Sequence, residues 1–148
     1  MSTPGFLVWR LSMKWRAAVD RAVAPLGLTH AQYSLLASLY GMQEAQTVRP
    51  SQRQLADHTG LEPLYVSKLC RALETAGLLE RADDPTDSRA VRLALTPAGR
   101  RVTGRAVAVV LALHEQLLAP LGGPDSKRTR ALARELAALL DVDLRSEP

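Results

Sequence analysis

In "LEPLYVSKLCRALETAGLLE", residues 61 to 80, a serine, a lysine and an arginine stand at helical spacing: Ser67, Lys68 and Arg71. Ser67 and Arg71 are four apart and Lys68 is three before Arg71, so all three lie on one side of a helix. Leu64 and Tyr65 open the same face. Val66, Leu69, Cys70 and Leu73 fall at i, i+3, i+4 and i+7 and make the opposing apolar stripe. A hydroxyl, an ammonium and a guanidinium held clear of a core can donate hydrogen bonds and positive charge to an acceptor-rich, anionic surface.

A second polar cluster lies in "DDPTDSRAVRLALTP", residues 83 to 97. Asp83, Asp84 and Asp87 surround a proline, and Arg89 stands where this loop turns back into an alternating stretch. A guanidinium is weakly hydrated and is drawn to the negative potential of a narrow groove, so Arg89 is a candidate nucleic-acid contact. Spacing alone leaves open an ion pair with Asp87 or Asp83 in a solvated loop.

Catalytic constellations are missing. The chain has no G-x-S-x-G elbow, no glycine loop to cradle phosphate and no H-E-x-x-H pair, so neither an enzyme nor a cofactor is expected. His30, His58 and His114 are scattered singly without carboxylates at ligand spacing, which argues against a metal site. One cysteine, Cys70, excludes an internal disulfide.

The elements that must position these groups are mostly helical. Leu7, Leu11, Trp15, Ala18 and Ala22 mark one face of a helix over residues 6 to 24, ended by Pro25 and Gly27. "THAQ" is a capping box, with Thr29 and Gln32 exchanging hydrogen bonds ahead of "YSLLASLY". "SQRQLADHTG" repeats that grammar with Ser51, Gln54 and a terminal Gly60. Pro63 then suits a first helical position and Gly77 a stop. After Gly77 the period changes: "LLERA" and "AVRLAL" read as two short strands, the second alternating Val91, Leu93 and Leu95 against Arg92 and Ala94. Thr96 caps a long helix towards Leu118, stopped by "PLGGP", and a last helix runs from about Asp125 to Asp141.

With 148 residues, 47% of them hydrophobic, the chain is one domain's worth of material. Its longest apolar run, "AVAVVLAL", is far short of the roughly 20 residues a bilayer helix needs, so no membrane association is expected. "GFLVW" is too short for a signal-peptide core, and a cytoplasmic protein is the expectation. The net charge of +4 is compatible with a nucleic-acid partner without requiring one.

Helix, turn, helix and a two-stranded hairpin is the order of a winged helix-turn-helix, a mainly α fold with a small β wing. The outer face carrying Ser67, Lys68 and Arg71 would enter a major groove about 12 Å wide, and the hairpin would put its tip over the flanking backbone or minor groove.

The segments "LTHAQYSLLASLY", "RQLADHTGLEPLYVSKLCRALETAGLLER" and "DDPTDSRAVRLALTPAGR" resemble the MarR (multiple antibiotic resistance regulator) family of bacterial transcription factors. The third is the most specific: Asp87, Arg89, Leu95 and Thr96 match the family's wing aspartate and arginine and its strand-ending leucine-threonine. The resemblance covers nearly the whole chain as a single domain. It implies a winged helix-turn-helix over about 29–96 and dimerisation helices over about 6–25 and 97–141. It also implies a homodimer on a pseudo-palindromic double-stranded operator, usually as a repressor, often released by a small aromatic effector. Tyr65, Ser67, Lys68, Arg71, Asp87 and Arg89 are then the DNA-contacting set, with Asp87 holding Arg89 in position. Ser88 stands where the family is often basic, and Leu64 and Tyr65 where it is commonly small and polar.

In such regulators ligands lie between the dimer helices and the DNA lobe, which makes Trp9, Met13, Tyr33 and Tyr40 the candidate effector contacts. Aromatic residues at this spacing are more often core or dimer interface. Some family members sense oxidants through a cysteine of the N-terminal helix; Cys70 lies instead on the core stripe, where a thiol is usually inert. Val102, Val109, Val110, Leu113, Leu117, Leu136 and Leu140 give the last two helices more apolar surface than one thin layer can bury, which is the sequence argument for a dimer. The competing reading is a winged helix whose wing and recognition helix bind protein, or which serves only as a dimerisation module, without sequence-specific DNA binding; Leu64 and Tyr65 lean towards it. The cations Lys68, Arg71, Arg89 and Arg92 oppose it.

Overall fold

Several helix starts are built by the side chains that announced them. The structure, a computed structural model, describes residues 1–45, 49–84, 86–87 and 91–144. Helix α1 (Pro4–Val23) begins two residues earlier than expected because the Thr3 hydroxyl accepts from the Phe6 amide at 3.3 Å. Ahead of α2 (His30–Ala45) the Thr29 amide donates to Gln32 Oε1 at 3.0 Å and the Gln32 amide to Thr29 Oγ1 at 3.2 Å. Ser51 and Gln54 form the second capping box, which opens α3 (Gln52–Thr59). Gly60, at φ 74°, turns the chain into α4 (Pro63–Thr75).

Strands β1 (Leu79–Asp83) and β2 (Val91–Leu95) pair antiparallel, Leu79 opposite Leu95 and Asp83 opposite Val91. The segment before α3 lies along the hairpin: Ser51 bridges to Arg92, and the Leu93 amide donates to the Pro50 carbonyl at 2.8 Å. Both edges of β2 are thereby hydrogen-bonded, and Ala94 is buried although the alternation placed it outside.

Helix α5 (Pro97–Leu117) starts against the turn that ends α4. The Thr96 hydroxyl donates to the Gly77 carbonyl at 2.6 Å and accepts from the Gly99 amide at 3.0 Å. Helix α6 (Lys127–Leu140) is capped by Ser126, so it starts two residues later than Asp125.

The chain divides into two compact units, Met1–Val110 and Leu111–Pro148. In the first, Leu35, Leu36 and Leu39 of α2, Leu55 of α3 and Leu73 of α4 pack with Leu79 and Leu93 of the hairpin in a buried core. Val110 belongs to that core and is not part of the open apolar surface that the sequence argument assigned to it. In the second unit α6 buries none of its residues. Among the described residues, no helix is long and apolar enough to cross a membrane.

Candidate nucleic-acid interface

The rotation of α4 is set by its core stripe. Val66, Leu69, Cys70 and Leu73 are buried, while Leu64, Tyr65, Lys68 and Arg71 are exposed and Ser67 is half-buried. Turning the helix to expose Val66, Leu69 and Leu73 would cost about 2 kcal/mol for each side chain. That outweighs the modest surface preference of any polar group. The face read from the sequence is therefore the face the fold presents.

On that face Arg71 is laid back along the helix, its Nη2 donating to Ser67 Oγ at 3.3 Å and its Nε to the Ser67 carbonyl at 3.5 Å. These are long, weak bonds. They hold the guanidinium near the helix surface and leave it easily redirected towards a stronger acceptor. Beneath it, burial pushes the Cys70 thiol up to about 11, although the nearby Arg81 acts against this. The raised value keeps the thiol protonated at neutral pH, the form that is a poor nucleophile.

The α3 N-terminus and the wing flank this helix. Ser51, Gln52, Arg53 and Asp57 line one groove together with Pro63, Asp87 and Val91. Asp87 is exposed at its edge. Arg89 and Ser88 lie outside the described residues. Gln52 and Arg53 were not singled out in the sequence; their only signal was their place just after the N-cap Ser51.

Each wing strand is tied down by an arginine. Arg81 of β1 pairs with Glu74 of α4 and reaches Gln52 Oε1 at 3.5 Å. Arg92 of β2, expected as an outward cation, is turned inwards: it pairs with Asp84 at 2.7 Å and donates to Gln54 Oε1 at 3.3 Å.

The four aromatic-site candidates are not brought to one place. Trp9 and Met13 line an open groove along α1 with Leu7, Arg10, Leu11 and Lys14. Tyr33 is half-buried, with its phenol pushed up by burial. Tyr40 lies under Arg100, the guanidinium carbon 5.9 Å from the ring centre, and Arg100 also pairs with Glu44. A different cavity of about 320 Å³ is lined by Arg16, Ala17 and Asp20 of α1, Thr29, His30 and Ala31 at the start of α2, and Tyr65 of α4. Asp20 there accepts from the His30 amide at 2.8 Å. Burial, and then the Arg16 charge, lower the His30 imidazole, which Asp20 partly offsets. Among the described residues, no group of three or more His, Cys, Asp or Glu is placed to hold a metal ion.

Comparison with known proteins agrees with this geometry. A family model described as "MarR family" matches residues 26–90. The HTH-type transcriptional regulator YdcH of Bacillus subtilis is 34% identical over 119 residues, 80% of this chain and 80% of that protein. The transcriptional repressor CouR, solved bound to a 23-mer DNA duplex, is 31% identical with a TM-score of 0.78, covering 93% of this chain and 92% of its own. CouR from Rhodococcus jostii RHA1, solved bound to p-coumaroyl-CoA, is 27% identical with a TM-score of 0.78, covering 99% and 96%.

Proposed function

The chain belongs to the MarR family of transcriptional regulators, and from that premise we propose that it represses transcription as a cytoplasmic homodimer on an inverted-repeat operator. The role is recognition rather than catalysis. The observation that carries it is the split of α4: its apolar stripe fills the core while Ser67, Lys68 and Arg71 face outwards. In this reading the winged helix-turn-helix spans about 29–96, and the helices over about 6–25 and 97–141 dimerise. Arg71 reaches a base edge, Lys68 a phosphate, and Asp87 positions Arg89 in the wing, with Tyr65 and Ser67 beside them.

Dimerisation is supported by apolar side chains left open on single helices. Phe6, Leu7, Val8, Trp9, Leu11 and Met13 of α1 are all exposed, as are Leu136, Leu139 and Leu140 of α6. Surfaces of this kind are seldom left to water.

Release by a small aromatic effector is the regulatory part of the proposal, in line with a relative solved with p-coumaroyl-CoA. Trp9 and Met13, with Tyr33 and Tyr40, were its sequence candidates. The cavity beside Arg16, His30 and Tyr65 is the better seat, because it combines a cation with a side chain of the recognition helix.

The exposure of Leu64 (75%) and Tyr65 (43%) favours a second reading, a protein-binding module. Titration of the protein into DNA from beside its gene separates the two. Repression by DNA binding requires a complex that weakens steeply with salt, whereas the interaction module gives no salt-dependent complex.

A further inference from the structure

We propose that Asp84 and Arg92 form a clamp that seats the wing on the N-terminus of α3, making Arg92 a positioning residue for DNA binding rather than a DNA contact. The inference rests on the DNA-binding reading above and concerns the base of the wing.

Arg92 uses its whole fork. Its Nε donates to Asp84 Oδ2 at 2.9 Å and its Nη2 pairs with the same oxygen at 2.7 Å. Nη1 turns the other way, to the Arg49 carbonyl at 3.2 Å and to Gln54 Oε1 at 3.3 Å. Gln54 Oε1 is also the acceptor of the Ser51 amide in the capping box, at 2.8 Å. One guanidinium thus joins the end of β1, strand β2 and the cap of α3.

Asp84 is built for this partner. It is 8% exposed, and its other oxygen accepts from the Thr86 amide at 2.9 Å and the Thr86 hydroxyl at 2.8 Å. These Thr86 bonds first, and then Arg92, hold the carboxyl down to about 2, below its ordinary 3.8. With the folded value depressed, the contribution is complete above the ordinary value and is lost only as pH falls towards about 2. At any physiological pH the clamp is charged and closed.

A buried carboxylate with all its bonds spent inside the protein is not offering charge to a ligand. Its partner is likewise occupied, and a wing carried on this pair has one seat on α3. Lysine cannot replace it, because a single ammonium cannot span Asp84, Gln54 and the Arg49 carbonyl together.

The test compares wild type, Arg92→Lys and Asp84→Asn in two measurements. The first is binding to a full operator duplex and to one trimmed of the flanking base pairs that the wings would reach. The clamp predicts at least tenfold weaker binding to the full duplex for both variants and binding within about twofold of wild type on the trimmed one. Arg92→Lys binding like wild type would make Arg92 an ordinary phosphate contact. Tighter binding by Asp84→Asn would make the aspartate a plain repulsive charge, and equal losses on both duplexes would mean general damage to the fold. Each of these overturns the proposal. The second measurement needs no DNA: amide exchange at Leu93, whose N–H is held by Pro50, should speed at least tenfold in both variants while the α4 amides keep their wild-type rates. Unchanged Leu93 exchange overturns the clamp by itself. A wild type that binds neither duplex would instead refute the DNA-binding reading and leave the exchange result to judge the clamp.

Discussion

Gly99, in the first turn of α5, sits so close to the turn after α4 that a Cβ built on it would overlap the Leu78 carbonyl oxygen. The same carbonyl accepts from the Thr96 amide at 3.2 Å, so backbone meets backbone where the recognition helix hands over to α5. Gly99→Ala must push α5 away or break that bond. The expected loss is about 1–3 kcal/mol of stability, the usual range for overpacking a close contact. Urea unfolding of the variant measures it, and a midpoint equal to wild type would show that the contact relaxes freely.

Thr103 of α5 is fully buried, and its hydroxyl has no hydrogen-bond partner among the described residues. Thr103→Val replaces an unsatisfied polar atom with a methyl of similar shape. Stability should rise by about 1 kcal/mol or more, because the buried hydroxyl loses its solvation without compensation. Thermal unfolding at fixed protein concentration reads this; a lower midpoint would mean that the hydroxyl has a partner in the assembled protein.

Arg71 and Lys68 should fail differently. Arg71→Ala is expected to relax sequence preference at one base position, costing about 1–3 kcal/mol against the cognate base. Lys68→Ala should weaken all sequences about equally and reduce the salt slope by about one. Competition titrations with single-base operator variants distinguish them. The reverse pattern would mean that α4 is rotated against the DNA, and no effect in either would favour the protein-binding module.

In the wing, Arg89→Ala should weaken operator binding at least tenfold, about 1.4 kcal/mol, with helical content and dimer unchanged. Asp87→Ala should also weaken it, although removing an acid near phosphate would by bulk charge strengthen binding. The sign of the Asp87→Ala effect decides whether the aspartate positions Arg89 or merely repels DNA.

The parts of the fold visible in the sequence are those written in local spacing. The α4 stripe, the two capping boxes and the Thr96 cap each involve residues within one or two turns, where periodicity and hydrogen-bond grammar act directly. What local spacing does not carry depends on tertiary register. Arg92 looked like an outward charge because its partner Asp84 lies across a hairpin, and Gln54 lies 38 residues away. Arg100, brought from the start of α5, stands over the Tyr40 ring, a pairing between distant parts of the chain that no local spacing announces. Val110 looked like interface because helical spacing alone does not say which of two apolar stripes meets the core. The cavity beside Arg16 and His30 gave no signal, since α1, α2 and α4 meet there from distant parts of the chain.

Repression in this form requires that the fold present paired recognition helices to double-stranded DNA. Fluorescence anisotropy of the wild-type protein with a labelled inverted repeat from beside its gene, and with a single half-site, measures that directly across a salt series. Binding to the full repeat, with half-sites spaced by about one helical turn, should be at least tenfold tighter than to the half-site. Affinity should also fall by about 10³-fold between roughly 50 and 200 mM salt as counterions are released. A half-site bound as tightly as the repeat, or an affinity indifferent to salt, would contradict it.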